Sequence, residues 1–183
     1  MEFCWLVHHG FDTPDIDTMK DLGAIWGSWA SFQSCDTDNC IADDFSDARK
    51  LLDQGLNTKC NLWTHEDNFA MLERPEGLSI YKIGIDKDLI HRDDLVSMAL
   101  TAARYDIVVC MGFDLDENGS VTDRLERHEH KRYLMAIKHI IKGFPDTQFV
   151  FVDLPSDAIT DISDLPNFTC DNIQNVLQLL QDL

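Results

Sequence analysis

Basic residues are scarce in this chain: 15 Lys and Arg stand against 33 Asp and Glu among 183 residues, a formal charge of -18. Binding nucleic acid through its phosphates needs a broad basic surface, so that class of function is not expected. The acids are scattered and never reach the block length of a disordered tail. A solvated acidic surface is the ordinary reading, and a face for a protein partner the sharper one. No apolar run is long enough to cross a bilayer, and Met1–Gly10 lacks the basic start and cleavage site of a signal peptide. These absences lead to the expectation of a soluble, cytoplasmic protein without membrane contact. Six cysteines without a secretion signal are expected to be reduced thiols, with Cys4 and Cys110 packed as small core hydrophobes. Repeats, low-complexity tracts and linkers are also missing, so residues 1–183 are expected to form a single domain.

What is present is an alternation of strand-like and helix-like stretches. Ile107 to Met111 is an uninterrupted apolar run, as a strand covered on both faces requires. It reads as the centre of a strand from Asp106 to Phe113, followed by a polar loop (114–122) and a long helix from Asp123 to Lys142. Thr122 or Asp123 is suited to cap that helix, and Gly143 with Pro145 to stop it. Further strands are expected at Phe3–Val7, Ala24–Phe32, Cys60–Thr64, Leu78–Ile85 and Gln148–Leu154. Helices are expected from Thr13-Pro14 to Leu22, from Asp47 to Gln54 behind a Ser46 cap, from His91 to Arg104, and at the carboxyl end through Ile173, Val176, Leu177 and Leu180. Residues 34–44 read as a polar loop, and 155–169 as an irregular connection. This order predicts an α/β fold: a single-domain, Rossmann-like or flavodoxin-like three-layer sandwich with a mainly parallel sheet of about six strands.

In such a sheet, ligands bind where the chain leaves the carboxyl ends of central strands. Two strands end in the same triplet, Gly10-Phe11-Asp12 and Gly112-Phe113-Asp114. If the strands are parallel and close, the glycines let the backbone turn or approach a ligand, and Asp12 and Asp114 face one crevice. His8 and His9 adjoin the first triplet. A histidine beside an aspartate suits acid–base work near neutral pH, although a hydrogen-bonded structural histidine is the more usual use of such a residue. His8, His9, Asp12 and Asp114 are therefore the candidate catalytic residues.

The one basic cluster is Arg124, Arg127, His128, His130, Lys131 and Arg132, in the first half of the helix after the apolar strand. Free backbone N–H groups there already favour an anion, so Arg124, Arg127 and His128, with Gly10, Gly112 and Asp116, form the candidate ligand-binding set. Pairing of these cations with Glu126 and Glu129 is the plainer alternative. Asp114, Asp116, Asn118 and Gly119 open like a calcium loop, but Leu125 stands where a bidentate glutamate is needed. Cys35, Cys40, Cys60 and His65 have loose zinc-site spacing. Neither pattern is strong enough to predict a metal, and the absence of a P-loop or G-x-G-x-x-G leaves the cofactor unspecified. Trp5, Trp26, Trp29 and Trp63 all fall in the first third, where rings serve packing more often than ligand stacking.

No motif specifies a reaction. The reading these residues support is a small α/β enzyme or binding protein for an anionic metabolite such as a nucleotide or sugar phosphate, with hydrolysis among the reactions it suits. The alternative is a non-catalytic, acidic interaction module for a protein partner. A homodimer rests only on the general prevalence of symmetric homo-oligomers.

Overall fold

The computed structural model describes residues 1–8, 16–28, 37–81, 93–113, 127–154 and 162–181, with residues 16–17 and 127–130 described by their backbone alone. The elements, in chain order, are β1 (Phe3–Val7), α1 (Ile16–Leu22), β2 (Ala24–Ser28), β3 (Asn39–Ile41), α2 (Phe45–Asp53), β4 (Asn61–His65), α3 (Glu66–Met71), β5 (Leu78–Tyr81), α4 (Asp93–Ala102), β6 (Ile107–Met111), α5 (Arg127–Gly143), β7 (Gln148–Val152), β8 (Phe168–Asp171) and α6 (Ile173–Gln181). The eight strands of the described residues lie in one sheet, ordered β5-β4-β3-β2-β1-β6-β7-β8, and every neighbouring pair is parallel. The sheet is open, an α/β arrangement of Rossmann-like type. It grows from β1 outward to β5, the chain returns through α4, and β6, β7 and β8 extend the other side. Growth therefore reverses between β1 and β6, which makes the carboxyl ends of these two strands the topological switch point.

The strand count corrects the expected six. The two additions are β3, three residues inside the stretch read as a polar loop, and β8, four residues that begin in the last two positions of the stretch read as an irregular connection. Neither is long enough to show a period of its own. β3 is held by ladders on both sides, to β2 and β4, and its three residues are buried.

Alternation along the strands sorts side chains between two faces. Cys4, Leu6, Val108, Cys110, Phe149 and Phe151 point to one face, where α4 contributes Leu95, Met98 and Ala99 and α5 contributes Ala136, Ile137, Ile140 and Ile141. Trp5, Val7, Ile25, Val109 and Met111 point to the other, under Met19 of α1 and Val176 and Leu180 of α6. α2 covers Cys40, Ala42 and Leu62 with Ala48 and Leu51. The expected apolar stripe on α4 understates its position: every residue from Asp94 to Ala102 is buried, because the helix crosses the middle of the sheet against β1, β2, β3 and β6 and also meets α5.

Helix ends show local corrections. Asp44, not Ser46, caps α2, its carboxylate accepting from the Ser46 backbone N–H at 2.7 Å and from the Ser46 hydroxyl. α3 lies in a stretch without helical patterning, and the His65 ring accepts from the Asp67 N–H at its start. Gly23, after α1, sits where an added Cβ would come 2.9 Å from the Phe3 ring, so the close approach of β1 to this turn requires glycine. The expected Thr122 or Asp123 cap and the 114–122 loop lie outside the described residues. So do positions 29–32 and 82–85 of the expected strands Ala24–Phe32 and Leu78–Ile85.

Candidate functional site

His8 follows the last residue of β1, and its backbone N–H donates to the Met111 carbonyl at 2.8 Å. That bond carries the β1–β6 ladder one step past the strand and fixes His8 at the switch point. The residue is 7% exposed, and its ring lies 5.4 Å from that of Phe113. Gly112, between Met111 and Phe113, has φ +72°, a left-handed conformation that glycine adopts without strain and that turns Phe113 back over the strand ends.

His8 Nε2 lies 3.0 Å from Oδ2 of Asp94 in the first turn of α4, and Asp94 is 4% exposed. The hydroxyl of Tyr133, on α5 and also 4% exposed, donates to the same Oδ2. Three elements thus converge: β1 supplies an imidazole, α4 a carboxylate and α5 a phenol. Burial of an ionised carboxylate is costly unless it is hydrogen-bonded, and here two donors and the start of a helix surround it. A carboxylate on one nitrogen of an imidazole sets the ring's orientation and stabilises its protonated form, which are the requirements of a general base or acid.

A second polar cluster lies along the same edge of the sheet, at the ends of β3, β4 and β5. Asp43 N–H donates to Asp93 Oδ1 at 2.9 Å, the Tyr81 hydroxyl donates to Asp43 Oδ1, and Asn68 donates to the Asp43 carbonyl. The His65 ring stands edge-on to Tyr81 with centroids 5.8 Å apart. Burial pushes the Asp93 carboxyl up to about 7, opposed by the hydrogen bond from the Asp43 N–H and helped to a lesser degree by the charges of Asp43, Asp47 and Asp94. Burial and then the Asp43 contact push the Tyr81 phenol up as well. The consecutive acids at the start of α4 therefore face different partners: Asp93 the β3–β5 side of the sheet, Asp94 the switch point.

Of the sequence candidates, His8 and Gly112 are placed at the switch point. His9, Gly10, Asp12, Asp114, Asp116 and Arg124 lie outside the described residues, as do Cys35, Trp29 and the calcium-like loop. Arg127 and His128 are the first two residues of α5, described by backbone alone, and Lys131 and Arg132 behind them are exposed. Cys40 is buried beneath α2 and its thiol is held protonated by that burial, while His65 caps α3. Among the described residues no group of three or more His, Cys, Asp or Glu is arranged to hold a metal ion. Trp5 and Trp26 are core side chains, with indole N–H groups donating to the Met19 carbonyl and the Tyr105 hydroxyl.

Asp94, Tyr133, Asp93 and Asp43 escape a reading of sequence alone. The only local signal is the Asp93-Asp94 pair opening a helix, which reads as ordinary first-turn acids. Their partners come from distant parts of the chain.

No protein-family model, curated protein or solved structure matches this chain. The chemistry at the switch point must therefore be judged from its own residues.

Proposed function

We propose that this chain is an acid–base enzyme that binds an anionic metabolite of the nucleotide or sugar-phosphate class at the switch point and hydrolyses a bond in it. The observation that carries the reading is the His8–Asp94 pair: a buried imidazole oriented by a buried carboxylate, at the one place in an open parallel sheet where ligands collect. In this reading Asp94 orients the imidazole through Nε2, and His8 exchanges a proton with water or the leaving group. The first residues of α5, Arg127 and His128, together with Arg124, are assigned to the anion, because a helix start in this position favours negative charge. Asp12 and Asp114 are assigned to the same crevice as auxiliary acid or base groups.

The test is a thermal-shift screen of nucleotides, sugar phosphates and inorganic phosphate, followed by a hydrolysis assay on any compound that binds. A ligand at about one hundred times its dissociation constant adds roughly 2.7 kcal/mol to the native state. Arg127→Ala should weaken that shift. His8→Gln keeps an amide donor toward Asp94; it should retain binding and lose about 10²- to 10⁴-fold in turnover. Hydrolysis unchanged in His8→Gln, or no stabilisation by any phosphorylated compound, would remove this reading and favour the protein-interaction alternative.

A further inference from the structure

The geometry points to Tyr133 as a positioning residue that sets the basicity of His8 through Asp94. His8 Nε2 and the Tyr133 hydroxyl meet the same atom, Oδ2 of Asp94, in a site where all three side chains are more than nine-tenths buried. Two donors on one carboxylate oxygen compete for the same negative charge. Charge taken up by the phenol is charge withheld from the imidazole, and in a buried site such competition is weakly screened by solvent. The tyrosine therefore restrains the protonated form of His8 that Asp94 alone would favour strongly. It also fastens α5 to α4, so that the helix opening with Arg127 and His128 is tied to the proton-transfer residue through one oxygen.

This inference deepens the acid–base reading and rests on it, since a tuned imidazole matters only if His8 moves protons. Among the described residues, the ionisable groups in this neighbourhood include Asp94 in contact with His8, Tyr133 behind it, and Asp93 beside Asp94 on α4. On β6 the side chain of this face is Cys110, whose thiol burial pushes up, and in the turn that follows Phe113 presents no charge.

The experiment follows His8 by NMR of its imidazole carbons and nitrogens across pH, with the signal assigned from its loss in His8→Gln. In Tyr133→Phe the full charge of Asp94 acts on the imidazole, and the His8 titration should move to higher pH by about half a unit or more. A second form keeps the ring and the hydroxyl: 3-fluorotyrosine incorporated at the tyrosines is a more acidic phenol and a stronger donor, and should move His8 to lower pH. Because neither readout depends on turnover, they separate this inference from the assay of hydrolysis. Opposite displacements in the two proteins support the inference. A His8 titration that stays in place in both, or moves in the same direction in both, overturns it; should Tyr133→Phe not fold, the fluorinated protein decides by whether the titration falls.

Discussion

A carboxyl group that prefers its proton in the folded state works against stability as pH rises. Asp93 is such a group, pushed up to about 7 by burial first and by Asp43, Asp47 and Asp94 after it. Unfolded, the same residue titrates near the ordinary aspartate value of about 3.9. Between these values the native chain binds one proton more than the unfolded chain, so this residue's contribution falls with rising pH, by at most about 1.4 kcal/mol per pH unit, and levels off above about pH 7. Asn at this position keeps an oxygen to accept the Asp43 N–H and carries no charge. The difference in stability between Asp93→Asn and the parent should therefore grow in favour of the variant from about pH 4 to pH 7. Urea melts of both proteins across that range give the difference directly, and a constant difference would show that Asp93 does not titrate in this window.

At the scale of elements, the parts legible in sequence were those whose signal is local. The run Ile107–Met111 declared a strand covered on both faces, and all but Ile107 of it is fully buried between the α4–α5 layer and the α1–α6 layer. α6 followed from helical spacing alone, with Val176 and Leu180 buried. β3 and β8 were not legible, because three or four residues cannot display a period and their ladders depend on strands formed elsewhere. The site divides in the same way. His8 and Gly112 stood out as polar or turning residues at strand ends, whereas Asp94 and Tyr133 acquire meaning only when α4 and α5 are folded over β1.

Asn167 shows how far such dependence between elements extends. It precedes β8 in the stretch read as irregular, yet its side-chain nitrogen is 3.0 Å from each of the carbonyls of Ile141, Phe144 and Thr147. It thereby satisfies backbone acceptors at the carboxyl end of α5 and in the turn leading to β7, groups that a helix leaves without partners of its own. Asn167→Ala removes the amide donor from these carbonyls, of which that of Phe144 keeps the Thr147 N–H, at a cost of about 1–3 kcal/mol, and should lower the melting temperature by roughly 2–12 °C for a chain of this size. Asn167→Asp should cost more, since it sets a negative oxygen among carbonyls. An alanine variant as stable as the parent, measured by calorimetry, would mean that water replaces the amide at this corner.

For the whole molecule, the excess of 33 acidic over 15 basic side chains sets a field that local pairs do not cancel. Two surface pairs illustrate the limit. Arg49–Asp53 and Lys138–Asp164 are at 3.4 and 3.8 Å, with Lys138 half-buried and the other three side chains open to solvent, and such pairs contribute at most about 1 kcal/mol each. Added salt weakens them, but it also screens the repulsion among the surplus acids, shortening its range from about 30 Å at 0.01 M to about 8 Å at 0.15 M. With a formal charge of -18 the second effect has many more terms than the first, and compaction is what brings those charges together. The melting temperature should therefore rise as salt is raised from about 0.01 M to about 0.15 M. Sodium and tetramethylammonium chlorides should act alike, because screening depends on ionic strength and not on the cation's identity. A fall in melting temperature would mean that attractive pairs outweigh the repulsion, and a rise with sodium alone would indicate a cation held at a defined place.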